Sequence, residues 1–138
     1  MGELTIGIDI GGTSVRASVV DDRGRMLDTL RAATPGTALA LEHCLDRLVA
    51  ELTSRWAARA VGLAVAGFLT PDRQVVRFAP HLPWREARVA EEMSSRIGLP
   101  VVTEHDANAA AVAEFRFGAA ARGHNSLVLA IGTGIGAG

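Results

Sequence analysis

Apolar and polar residues alternate with a period of two along the first twenty positions of the chain. Leu4, Ile6 and Ile8 fall on one side of a predicted strand, and Val15, Ala17 and Val19 repeat the pattern after a turn. The first strand spans Leu4–Asp9, the second Ser14–Val20, and a third Met26–Ala32 follows the charged turn Asp21-Asp22-Arg23-Gly24-Arg25. The period then changes. Leu45, Leu48, Val49, Leu52 and Trp56 recur at helical spacing. Thr34 suits the cap of this helix and Pro35 its first position. Ala60–Ala66 is a continuous apolar run, short enough for a buried parallel strand. Phe68–Pro83 reads as an irregular excursion with a short strand at Val75–Phe78. A second helix is expected from Arg85 to Ile97, stopped by Gly98. Leu99–Glu104 is the next strand, Asp106–Phe117 an alanine-rich helix, and Ser126–Ile131 a final apolar strand before a glycine-rich end.

The order is β-β-β-α-β-α-β-α-β. Hairpin strands are antiparallel, whereas strands joined by helical crossovers are parallel and right-handed. A mixed five-stranded sheet of order 3-2-1-4-5 follows, with helices on its faces, an α/β fold. Strands 1, 4 and 5 then share one carboxyl edge, where ligands of open α/β sheets bind. Asp9, Gly67 and the Glu104-His105-Asp106 segment are all expected at that edge.

Candidate chemistry concentrates in two glycine loops. Gly7-Ile8-Asp9-Ile10-Gly11-Gly12-Thr13 joins two strands, unlike a Rossmann turn or a Walker loop, each of which leads into a helix. Backbone N–H groups of Gly11, Gly12 and Thr13 can approach a phosphate, and Asp9 can hold a hydrated Mg²⁺ beside it. The same residues would also make an ordinary tight hairpin. Gly132-Thr133-Gly134-Ile135-Gly136 echoes this loop after a second strand. Two such loops facing each other could grip a polyphosphate; a glycine tail is the plain alternative.

Bulk properties narrow the field. The chain has 138 residues, one domain's length, with 49% hydrophobic and 21% charged residues. Its net charge of −1 gives no electrostatic case for nucleic acid or an anionic membrane. No apolar run approaches the ~18 residues of a spanning helix, and the start lacks a secretory pattern. Cys44 is the only cysteine, which excludes an internal disulfide and a CxxC metal knuckle. These features together fit the cytoplasm. His43 and His124 read as solvated, Trp84 as a packing residue, and Arg16 as either a phosphate-edge or a solvated residue.

The two loops, the element order and Glu104-His105-Asp106-Ala107-Asn108-Ala109-Ala110-Ala111 together resemble the ROK sugar kinases, and most nearly the bacterial ROK glucokinases of the actin-like ATPase superfamily. Ala79-Pro80-His81-Leu82-Pro83-Trp84 resembles the family's sugar-side loop, and Ala113-Glu114-Phe115-Arg116-Phe117-Gly118 the run after its catalytic aspartate. The resemblance implies a ribonuclease H-like lobe over residues 1–122, with 123–138 as the first strand and phosphate loop of a truncated second lobe. It implies transfer of the ATP γ-phosphate to a hexose 6-hydroxyl, with Mg²⁺ as cofactor and glucose as first-choice substrate. Asp106 would be the catalytic base. Gly67, His81, His105 and Asp106 would meet the sugar. Asp9, Gly11, Gly12, Thr13, Gly132, Thr133, Gly134 and Gly136 would meet the phosphates. It further implies a homodimer for the complete protein and a zinc site only in the part beyond this chain.

Two departures bear on the substrate. His81 and His105 stand where the family's glucokinases usually carry sugar-binding asparagines. A neutral imidazole donates once and accepts once, is larger, and titrates near pH 6.5. Another hexose or an N-acetylhexosamine therefore stays open, as does polyphosphate in place of ATP. Asp106 itself has two readings from the residues alone, base or helix cap. A scaffold or chaperone ATPase of the superfamily would lack the Pro80–Trp84 sugar loop. A non-catalytic sugar-binding ROK regulator would carry a helix-turn-helix segment before the first strand, and none is present in the sequence.

Overall fold

The computed structural model describes residues 2–131 and 135–138. Ten strands and three helices occur among them: β1 Leu4–Ile10, β2 Ser14–Val20, β3 Met26–Ala33, α1 Ala38–Thr53, β4 Ala58–Val65, β5 Phe68–Leu69, β6 Val76–Phe78, β7 Arg85–Ala87, α2 Val89–Ile97, β8 Val101–His105, α3 Asp106–Phe117, β9 Leu129–Ile131 and β10 Ile135–Ala137. Five of the strands form the central sheet in the order β3-β2-β1-β4-β8. This is the expected 3-2-1-4-5 order, with β8 as the fifth member. β1 pairs antiparallel with β2 and parallel with β4, and β4 pairs parallel with β8.

Alternation along the strands decides which face is covered. Ile6, Ile8 and Ile10 of β1 are buried with Val15, Ala17 and Val19 of β2 and Val61, Leu63 and Val65 of β4. Leu41, Leu45, Leu48, Val49 and Leu52 of α1 and Val89 and Met93 of α2 complete this core. Arg96 of α2 bonds Asp46 of α1 through Nε at 2.6 Å, fixing the two helices side by side. Residues of intervening parity, among them Asp9, point to the other face. There Asn108 in the first turn of α3 bonds Glu104. α3 then runs to the β2–β3 turn, where the Phe117 ring lies so close to Gly24 that a Cβ would come within 2.6 Å of it. Gly24 also has φ +76°, a conformation open to glycine.

Several boundaries differ from the sequence expectation. Helix α1 is capped by Thr37, whose Oγ1 accepts from Ala40 N at 3.3 Å, and not by Thr34. Thr34 is committed elsewhere, to the loop after β1. The helix stops at Thr53 short of Trp56, because the Thr53 and Ser54 hydroxyls bond back to Val49 O and Glu51 O. Trp56 instead donates its indole N–H to Asp28 at 2.9 Å. Arg85–Ala87 is a strand and not the start of α2, since it pairs with β6 and Glu86 has φ 45°, outside helical space. The excursion after Gly67 is an ordered three-stranded sheet, β5-β6-β7. Gly98 ends α2 in the left-handed conformation with φ 72°, as expected of a glycine stop.

Strands β9 and β10 pair only with each other among the described residues, and Val128 and Gly138 extend their ladder by two backbone bonds. This hairpin, its approach and α3 carry seven of the twelve exposed large apolar side chains among the described residues: Val112, Phe115, Phe117, Leu127, Leu129, Ile131 and Ile135, the last two 79% exposed. Among the described residues no helix is long and apolar enough to cross a membrane. Contiguous apolar surface beside a short open hairpin drives association. Residues 1–138 expressed alone are therefore expected to elute from size exclusion as dimers or larger at micromolar concentration. Ile131→Lys together with Ile135→Lys should shift them toward monomer. A monomer at every concentration without these substitutions would contradict this reading.

Candidate active site

The loop between β1 and β2 is pinned from two sides. Gly11 N donates to Ser14 O at 3.1 Å, closing the turn. Thr34 beyond β3 donates its hydroxyl to Gly11 O at 2.6 Å and its N–H to Thr13 O at 3.0 Å. Two loop carbonyls are thus consumed, and Gly12 and Thr13 stay exposed at the rim. Gly12 is constrained sterically as well. A Cβ there would lie 2.7 Å from Cβ of His81. The 79–84 loop therefore presses directly on the glycine loop. Gly67, just past β4, is buried against the same segment, where a Cβ would meet Ala79 Cβ and Phe78 O at 2.9 Å. Ala79, Leu82 and Trp84 anchor this segment in the core, while His81 is exposed.

The register places Asp9, Ala64 and Glu104 in one row across β1, β4 and β8, with Ile10, Val65 and His105 in the next. Asp9 is exposed and its carboxylate makes no hydrogen bond or ion pair among the described residues, although Arg16 is its neighbour on β2. Among these residues no group of three His, Cys, Asp or Glu is arranged to hold a metal. A lone carboxylate beside exposed backbone fits Mg²⁺, which keeps most of its waters and is bound through one or two carboxylates plus phosphate oxygens.

Asp106 follows β8 directly as the first residue of α3. The cap position belongs to His105, which makes no side-chain cap bond. Asp106 Oδ1 accepts from Ala107 N at 2.9 Å and faces His105 Nε2 at 3.3 Å. Its second oxygen has no partner among the described residues, and the side chain is 42% exposed. The hairpin β9–β10 sits against the first turn of α3: a Cβ on Gly136 would lie 3.3 Å from Ala107 Cβ. Gly132, Thr133 and Gly134, the rest of the expected second phosphate loop, lie outside the described residues.

Glu104 ties this segment together. It accepts from Arg73 Nη1 at 2.7 Å, from His105 N at 2.8 Å and from Asn108 Nδ2 at 3.3 Å. Thr103 Oγ1 donates to Arg73 O, fixing the same turn from the other face. An open cleft of about 390 Å³ lies here, bounded by Gly67, Thr70, Arg73, Glu104, His105 and Asn108. Partial burial raises the Glu104 pKa, but the Arg73, His105 and Asn108 hydrogen bonds outweigh it and hold the carboxyl below its ordinary range.

The roles of Glu104, Arg73 and Thr34 were not evident from the sequence. The parallel register would have found Glu104, which lies level with Asp9. Thr34 was hidden by its good fit to a helix cap, and Arg73 by the irregular look of its turn. Among the described residues no hydrogen bond joins the His81 loop to the Asp106 segment; Gly67 touches the first at Ala79 and shares a cleft with Glu104 and His105.

The depressed Glu104 pKa has a definite sign. Its stabilisation is fully present above the unfolded pKa, about 4.3, and is lost as pH falls through the lower folded value. Glu104→Gln should therefore lower Tm near neutral pH, and the gap to the unsubstituted protein should close in acid below the ordinary glutamate range. Thermal melts across pH check this. A gap of constant size down to the acid limit would mean that charge on Glu104 does not hold the segment.

The chain matches the ROK family over residues 5–138. It is 42% identical to the glucokinase of Streptomyces coelicolor over 135 residues, 98% of this chain and 43% of that protein. A ROK family glucokinase from Streptomyces griseus, solved in complex with glucose and AMPPNP, superposes with a TM-score of 0.90 at 44% identity, covering 97% of this chain and 43% of that one. An inorganic polyphosphate/ATP-glucomannokinase from Arthrobacter sp. strain KM superposes at 0.86 with 34% identity, covering 99% and 57%. The chain thus spans less than half the length of the curated relatives it matches. Its sheet order and helices are those of the actin-like ATPase fold of ROK sugar kinases. With its loops, topology and sequence in agreement from residue 5 onward, the chain belongs to the ROK family.

Proposed function

We propose that residues 1–122 form the first lobe of an ATP-dependent hexose kinase, a glucokinase, and that residues 123–138 begin its second lobe. The observation that carries the proposal is the contact of Gly12 with His81, which gives the glycine loop and the 79–84 loop a common wall at the carboxyl edge of the sheet. A phosphate donor on one loop and a sugar on the other would then be neighbours. The likeness to a glucokinase that binds glucose and AMPPNP supports the choice of ligands.

The roles follow from placement. Exposed N–H groups at Gly12 and Thr13 and the loop at Gly132, Thr133, Gly134 and Gly136 would hold the polyphosphate from both lobes. Asp9 would hold Mg²⁺ through water, and the ion, when bound, neutralises charge on the transferring phosphates. Gly67, His81 and His105 would contact sugar hydroxyls. Asp106 keeps one oxygen on Ala107 N and presents the other, so it can orient the 6-hydroxyl. As the 6-hydroxyl oxygen attacks the γ-phosphorus and the bond from that phosphorus to the bridging oxygen of the leaving diphosphate breaks, the hydroxyl proton passes to the Asp106 carboxylate. Phosphoryl transfer rests mainly on positioning and electrostatics, so both lobes are needed for rate. The full-length protein would act as a homodimer. ATP is the donor favoured here; a likeness to a polyphosphate/ATP-glucomannokinase keeps polyphosphate as the competing donor in the assay.

In the full-length protein, Asp106→Asn should lower kcat by ~10²–10⁴-fold while the melting temperature stays close to that of the parent. The amide still accepts from Ala107 N, so the change isolates proton transfer from the helix-end bond. A coupled assay with ATP and glucose reads the effect; near-normal turnover would remove Asp106 from the chemistry.

Substrate choice should depend on the two histidines. His81→Asn and His105→Asn are each expected to raise the preference for glucose over other hexoses and N-acetylhexosamines. Each improved hydrogen bond would contribute ~0.5–1.5 kcal/mol. An unchanged ranking across a sugar panel would mean that neither histidine reads the sugar.

A further inference from the structure

The 79–84 loop has little backbone bonding of its own. One bond, Leu82 N to Ala79 O at 3.3 Å, closes it, and its apolar side chains anchor its ends in the core. Between those anchors Pro80 and His81 are exposed. What holds this exposed stretch is a single side chain from β7. Arg85 Nη1 lies 3.1 Å from Ala79 O, 3.2 Å from Leu82 O and 2.7 Å from Trp84 O. These three carbonyls bracket His81, one before it and two after. The same guanidinium lies over the Phe78 ring, 4.2 Å from its centroid. Phe78 in turn stacks on Phe68 with centroids 6.1 Å apart, and Phe68 follows Gly67 directly. Arg85, Phe78 and Phe68 thus form a stack that spans from the His81 loop to the turn after β4.

We propose that Arg85 is a positioning residue for the sugar: it clamps the loop carbonyls on both sides of His81 and so fixes where the imidazole stands against both Gly12 and the hexose. The inference rests on the reading of this loop as the sugar side of a kinase site. A planar guanidinium suits the task, because it can share donors among several carbonyls while its face rests on an aromatic ring. Lysine offers a point charge with no such plane. The clamp lies outside the core. Ala79, Leu82 and Trp84 are buried in the apolar cluster, whereas Arg85 is itself exposed. Its loss should loosen Pro80 and His81 while β6 and β7 stay paired.

The test uses the full-length protein with Arg85→Met, which keeps an apolar stem, and Arg85→Lys, which keeps the charge. Arg85→Met should raise the hexose KM by about tenfold, the scale of a lost charge-assisted hydrogen bond, with the KM for ATP unchanged. Amide hydrogen exchange without ligands should quicken within residues 81–84 and nowhere in the central sheet. Arg85→Lys should recover part of both effects. A hexose KM that stays level, or that moves in step with the KM for ATP, would overturn the proposal. So would unchanged exchange in residues 81–84. If the unsubstituted protein phosphorylates no hexose, the kinase reading fails and the sugar role falls with it, whereas faster exchange in Arg85→Met would still establish the clamp itself.

Discussion

Parallel pairing of β1 with β4 and of β4 with β8 is the constraint on which the site depends. It brings three carboxyl ends to one edge, so every loop that leaves those strands starts from the same place. The register is set by burial. Ile6, Ile8 and Ile10 lie level with Val61, Leu63 and Val65, all on the face covered by α1 and α2. A slip of one residue would turn each of them outward. Burying one such side chain contributes about 1.5–3 kcal/mol, so the wrong register would forfeit more than most domains have to spare. The same alternation that buries the isoleucines leaves Asp9 and Glu104 on the open face, level with each other.

The loops at this edge are shaped by how closely they approach one another. Gly12 and Gly67 both lack the room for a Cβ, and both are crowded by the segment between β6 and β7. Two glycines far apart in sequence are therefore required by a third element. Thr34 fixes the first loop through Gly11 and Thr13, and Glu104 fixes the last through His105 and Asn108. The edge is held by short polar ties between neighbouring loops, while the core beneath supplies the cohesion.

Much of this was legible in the sequence where a local pattern and the tertiary structure agree. Alternation gave β1 and β2, a glycine stop gave the end of α2, and the helical crossovers gave the strand order. The sequence misled where a residue suited two roles. Thr34 and Pro35 look like a helix start, yet the Thr34 hydroxyl bonds Gly11 O and the cap falls to Thr37. Arg85 looks like a helix residue, yet its backbone pairs with Phe78 and places the segment in a strand. Glu104 was visible as part of a motif, but its function as a tie required knowing that Arg73 folds back over β8. Contacts of this kind join positions about thirty residues apart, as Arg73 and Glu104 do, and no local period reports them.

In the proposed site the glycine loop meets the phosphate donor, while the His81 loop and the start of α3 lie beside it at the sugar. Paramagnetic broadening in the isotopically labelled full-length protein tests it most directly, with Mn²⁺ replacing Mg²⁺ on ATP. The account predicts the strongest broadening at the amides of Gly11, Gly12 and Thr13, with His81 and Asp106 also affected and the Asp21–Arg25 turn at the far end of the sheet untouched. Broadening centred on that turn, or spread evenly over the chain, would contradict it.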